Sequence, residues 1–159
     1  MTKRPTPAPP FARWPVHAFD ARAGFVWFTE PAVLLSQAIV THGTLEAARW
    51  MQDQIDAALD REAQRIAERG GLLVIHDLGA IHSYDSEARV HWAERIKRRP
   101  SGFARAVIAR VPATPLIRMA AAGLRLLGTL HVTTKVRLVD DLEPVLREFD
   151  VQVPAPIAP

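Results

Sequence analysis

Leu72-Leu73-Val74-Ile75-His76-Asp77, then Leu78-Gly79-Ala80-Ile81-His82-Ser83-Tyr84, then Asp85-Ser86 is the stretch from which the fold follows. Its four leading apolar residues run without a polar break, as in a strand covered on both faces of a sheet. The run ends at His76-Asp77, and a polar loop follows. Asp85 or Ser83 can cap a helix that continues through Lys97 and is stopped by Pro100. A doubly covered strand that passes through a loop into a helix is the repeating unit of a parallel α/β sheet.

Upstream, Gly70-Gly71 closes a helix capped by Thr44, with Glu46 in its first turn. Leu45, Ala48, Met51, Ile55, Ala58 and Ile66 recur there at three- and four-residue steps, with one wider gap. Before it, the runs Phe25 to Phe28 and Val33 to Val40 are separated by Pro31 and predict an antiparallel hairpin. Downstream, Ala104 to Ala109 predicts another strand. Pro112 and Pro115 flank the start of a third helix, carrying Leu116, Ile117, Met119, Ala120, Leu124 and Leu127 and stopping at Gly128. His131 to Val136 predicts the last strand, and Asp140 begins a helix with Leu142, Val145, Leu146 and Phe149 on one face.

The order β-β-α-β-α-β-α-β-α predicts an α/β fold: a mostly parallel five-stranded sheet with an N-terminal β-hairpin and about four helices. Residues 24–150 form a single domain in this reading. Residues 1–23 hold Pro5, Pro7, Pro9, Pro10 and Pro15 and are expected to be a flexible Pro-rich tail, as are residues 151–159. Phe11 and Trp14 are expected to pack at most loosely on the domain, so deletion of residues 1–20 should leave folding intact.

Of the 159 residues, 48% are hydrophobic and 23% charged, which is enough for an ordinary core. With no Cys, disulfide scaffolds, thiolate zinc sites and thiol catalysis are excluded. No apolar run reaches the ~18 residues of a membrane helix, and Met1 to Pro15 lacks the apolar core of a secretory signal. The expected location is the cytoplasm, without membrane insertion. The pI of about 9.9 overstates the charge, since 20 Lys and Arg face 17 Asp and Glu. The basic residues are scattered, apart from Arg95, Lys97, Arg98 and Arg99 at a helix C-terminus, so no nucleic-acid partner is expected.

No glycine-rich nucleotide loop, nucleophile elbow or HExxH is present, and no cofactor or metal is expected. The richest polar segment is the loop after Ile75, at the carboxyl end of a parallel strand where α/β proteins place their sites. Asp77, His82, Tyr84, Asp85 and Ser86 are the candidate site residues. Ser86, one residue past the cap, should expose its hydroxyl. A phosphoryl group there would be welcomed by the helix amides and repelled by Asp85 and Glu87.

Two segments give the chain a resemblance to the STAS-like superfamily of sulfate transporters and anti-sigma-factor antagonists. One is Leu72 to Leu78 with Tyr84-Asp85-Ser86-Glu87-Ala88, similar to a strand ending in Asp-Leu followed by Asp-Ser-Ser/Thr-Gly at a helix start. The other is Val111 to Ala120, running to Gly128, then Val132 to Leu146, similar to the end of bacterial STAS-like proteins. Coverage is about residues 24–149 at the level of topology. The resemblance implies a non-enzymatic regulatory domain in signalling whose serine after the Asp is phosphorylated by a partner kinase. Only Asp85 and Ser86 match that motif; Glu87 and Ala88 depart from it.

Three functions compete. The first is a cytoplasmic regulator that binds a protein partner (a regulatory kinase, an anti-sigma-like protein or a scaffold protein), with Ser86 as a phosphorylation switch and a homodimer as a further expectation. The second is a carrier or sensor of a small apolar ligand, suggested by the apolar third helix. The third is a hydrolase using Ser86 and His82, with Asp77 completing the set.

Overall fold

The computed structural model describes residues 4–112 and 135–158. The helix expected over 115–127 and residues 131–134 of the last expected strand lie outside the described residues. Strands β1 (Ala18–Asp20), β2 (Gly24–Thr29), β3 (Val33–Ala38), β5 (Leu72–Asp77), β7 (Ala104–Arg110) and β8 (Lys135–Val139) form one six-stranded sheet in the order β1-β2-β3-β5-β7-β8. The pairs β1–β2 and β2–β3 are antiparallel; β3–β5, β5–β7 and β7–β8 are parallel. Two short segments, β4 (His42–Gly43) and β6 (Ser83–Tyr84), pair in parallel as a separate ladder. The described helices are α1 (Leu45–Arg61), α2 (Ala63–Glu68), α3 (Ser86–Arg98) and α4 (Glu143–Glu148).

The sheet is mixed and mostly parallel, with the expected hairpin at β2–β3 and one more strand than expected. That extra strand is β1, inside the segment read as a tail. It adds to the antiparallel edge of β2, with Phe19 opposite Phe25. The long expected helix is divided at Glu62, whose backbone leaves the helical region. The division falls in the gap between Leu59 and Ile66, where residues 60–65 supply no buried apolar side chain to hold the helix to the sheet.

Alternation of side chains along each strand builds two cores. Phe25, Trp27, Val33, Leu35, Leu73, Ile75 and Ile108 face one way. Val26, Leu34, Leu72, Val74 and Ala104 face the other, where Met51, Ile55, Ala58 and Ile66 of α1 and α2 cover them. Helix α3 packs beside α1, with Trp92 against the same core, and is tied by Arg95 and Arg99 to Asp56.

The first face is covered by Leu142 and Val145 of the α4 region and, contrary to the tail reading, by the N-terminal segment. Phe11 is fully buried. Its ring lies 4.9 Å from that of Trp14 and 5.0 Å from that of Trp27, and Trp27 Nε1 donates to Pro15 O at 2.8 Å. Two successive turns, Phe11 N donating to Ala8 O and Trp14 N donating to Phe11 O at 2.9 Å each, fold the aromatic side chains of this segment onto the sheet, so it is not extended here. Residues after α4 are also bound: Gln152 N donates to Glu30 O at 3.0 Å, and the Thr29 hydroxyl donates to Gln152 O at 2.5 Å.

Candidate functional site

Asp77 closes β5 and stands opposite Gln37 of β3 and Arg110 of β7 in the parallel register. Its Oδ1 accepts from Arg110 Nε at 2.9 Å and from Gly79 N at 3.1 Å; its Oδ2 accepts from Gln37 Nε2 at 3.0 Å. A Cβ on Gly79 would collide with the Arg110 guanidinium, so glycine is what lets that cation reach the carboxylate. Asp77 is thus a buried brace under the loop, not a surface contact. It holds the carboxyl ends of three strands in one plane and turns the chain after them. Next to it, His76 is buried with Nδ1 2.6 Å from the Ser36 hydroxyl and its ring edge-on to Trp92 at 5.3 Å. Loss of hydration pulls its pKa down from 6.5 to about 4, with the charge of Arg99 adding to the effect.

Above this floor, two loops zip together. His82 N donates to Thr41 O at 2.7 Å, and Asp85 N donates to Gly43 O at 2.9 Å. The register sets His42 opposite Ser83 and Gly43 opposite Tyr84. A Cβ at residue 43 would run into the Tyr84 ring, so Gly43 makes the seat for that half-buried side chain. Burial pushes the Tyr84 hydroxyl pKa up from 10 to about 12.

At the rim, His42 Nδ1 lies 2.6 Å from Ser83 Oγ, and His42 Nε2 lies 2.7 Å from Asp85 Oδ1. This corrects the capping expectation. Asp85 is the N-cap residue of α3 by position but makes no side-chain bond to its amides, because its carboxylate is turned to His42. Ser83 is likewise engaged with the imidazole. Ser86 and His82 are exposed.

The structure therefore brings Tyr84 and Asp85 together with His42 and Ser83, sets Ser86 and His82 on the same segment, and places Asp77 beneath. Among the described residues no hydrogen bond joins His82 to Ser86, or either to Asp77. The hydrolase set drawn from those three is not assembled, since Asp77 spends its oxygens on Arg110, Gly79 and Gln37. Sequence reading missed His42, which lies 41 residues before Ser83. Its only local signal was a His-Gly pair just ahead of a capped helix.

Among the described residues no group of three or more His, Asp or Glu is placed to hold a metal ion. A cavity of about 40 Å³ lies between α1, α3 and the strand ends, lined by Met51, His76, Ile81, Tyr84 and Trp92 among others. That is far below the ~300 Å³ at which ligand pockets begin. The apolar third helix that motivates a ligand carrier lies outside the described residues. A broader cleft of about 880 Å³ opens at the other end of the strands, between Asp56, Asp60, Arg98 and Phe103. Among the described residues no helix is long and apolar enough to cross a membrane.

No family model matches the chain, and no curated protein matches it. The backbone is similar to a crystal structure of an uncharacterised protein of the DUF3478 family from Shewanella loihica, described as having a SpoIIAA-like fold. The two are 12% identical, with a TM-score of 0.56 over 80% of this chain and 92% of that one. The hairpin, the parallel strands and the helix following the polar loop thus belong to one known architecture: this chain has the SpoIIAA-like, STAS-type fold that its sequence resembles.

Proposed function

We propose that this chain is a non-enzymatic regulatory domain of the cytoplasm that binds a protein partner through the segment His82 to Ser86. The observation that carries the reading is the construction of that segment. It is held to Thr41 and Gly43 by backbone bonds, braced from below by buried Asp77, and presents His82 and Ser86 to solvent. A fixed backbone with exposed polar side chains favours recognition of a partner, because little ordering cost remains to be met on binding. The partner class is a regulatory kinase, an anti-sigma-like protein or a scaffold protein.

Ser86 is the switch in this reading. It is the first residue of α3, and no side chain caps that end. A phosphoryl group would add roughly −1.5 to −2 charge beside open amides, changing the surface while leaving the core untouched. Asp85, tied to His42, opposes it less than a free carboxylate would. Affinity capture with wild-type and Ser86→Asp baits, read by quantitative mass spectrometry, tests this. A protein retained by the wild type and lost with Ser86→Asp and His82→Ala is the expected result. Equal recovery on all three baits would sink the assignment of the interface.

A further inference from the structure

The chain Ser83–His42–Asp85 has the connectivity of an activated hydroxyl. A carboxylate has no proton to give, so Asp85 accepts from His42 Nε2–H. The neutral ring then has only a lone pair at Nδ1, and the Ser83 hydroxyl donates to it at 2.6 Å. The imidazole is thereby fixed in the tautomer that can take the serine proton. Nucleophile, base and orienting acid are the parts that convert an ordinary serine into a nucleophile, here with the two ring nitrogens exchanged relative to the usual serine triad. The parts are held on rigid backbone: His42 and Ser83 are register partners in the β4–β6 ladder, and Asp85 N is bonded to Gly43 O. The His42 and Asp85 side chains are 47% and 42% exposed, so a reagent can approach from solvent.

We infer that Ser83 is a nucleophilic serine that accepts an acyl group from small activated esters, with His42 as base and Asp85 as the positioning carboxylate. The small cavity beside it is lined by Tyr84 and Gly43 but not by Ser83. The acyl donor is accordingly one recognised by its reactive carbonyl alone: an aryl ester or thioester of a short acid. In the reaction, Ser83 Oγ attacks the carbonyl carbon and the new C–Oγ bond forms. The bond from that carbon to the phenolate or thiolate leaving group breaks. The serine proton passes to His42 Nδ1 and then to the leaving group. One acyl group is taken per chain. The inference does not rest on partner binding at Ser86.

The full-length chain is treated with p-nitrophenyl acetate, and acetylation is followed by released p-nitrophenolate and by peptide mapping. One acetyl group at Ser83 is expected, forming well ahead of any at Ser101, an exposed serine at the opposite end of the parallel strands. His42→Gln should slow acetylation of Ser83 about a hundredfold, the usual contribution of a general base. Asp85→Asn should slow it by about tenfold or more. Because the chain has no Cys, Ser83→Cys provides a second measurement: a single thiol, alkylated by iodoacetamide faster than in the Ser83→Cys, His42→Gln double variant. Acetylation of Ser83 no faster than of Ser101, or unchanged by His42→Gln, overturns the assignment. So does a thiol at 83 indifferent to His42.

Discussion

The imidazole of His76 has lost its water, and the sign of the consequence follows from its shift. The unfolded chain binds a proton near pH 6.5, the folded one only near pH 4. Stability is therefore complete above pH 6.5 and declines as pH falls through the window down to 4, by up to roughly 3 kcal/mol. Urea midpoints at pH 7 and pH 4.5 should differ more for the wild type than for His76→Gln; equal differences would show that another group carries the acid sensitivity. Asp77 is a different case. Arg110→Ala removes its cation but leaves Gln37 and Gly79 as donors, and Arg110 is itself 40% exposed. The expected loss is about 1–2 kcal/mol in chemical denaturation. No measurable loss would mean that Gln37 and Gly79 suffice.

The helices that flank the site begin in two different ways. Thr44 caps α1, its hydroxyl accepting from Ala47 N at 3.2 Å. Asp85 makes no such bond to α3. Thr44→Ala should therefore cost about 1 kcal/mol, and Asp85→Ala clearly less, when thermal melts are compared. The reverse order would mean that the Asp85–His42 contact, not capping, organises the start of α3. This contrast marks what can be read from the chain. Thr44 followed by a 3.6-residue rhythm, and Leu72 to Ile75 followed by polar loop residues, are local patterns, and α1, β5 and α3 lie where those patterns put them. The break at Glu62 was present as a gap in the rhythm. Strand β1 was not legible, because three residues after a run of prolines carry too little alternation and gain their pairing only from the edge of β2. Asp77, Tyr84 and Asp85 were recognisable as loop residues at a strand end. Their roles depend on Arg110, Gly43 and His42, which meet them only through the register of the sheet and the pairing of two distant loops.

Across the whole molecule, the unexpected feature is that one face of the sheet is roofed partly by residues 8–16. Phe11 has no exposed surface, and the Gln37 side-chain amide holds Ala8, its oxygen accepting from Ala8 N at 2.7 Å and its nitrogen donating to Ala8 O at 3.2 Å. Since Gln37 also holds Asp77, the N-terminal segment is joined by hydrogen bonds to the floor of the candidate site. Phe11→Ala should cost roughly 3–5 kcal/mol. Deletion of residues 1–20 should lower the melting temperature sharply, where the tail reading expects no change. Retention of the wild-type melt would restore the tail. Strand β1 also occupies the hydrogen-bonding edge of β2, whose sequence Gly24-Phe25-Val26-Trp27-Phe28-Thr29 is rich in aromatic and β-branched residues and has no charge. An uncovered strand of that composition is a template for pairing with its own copies. The same three residues that complete the sheet thereby keep one molecule from adding to the next, and a truncated chain should grow into ordered aggregates at a rate that rises with its concentration.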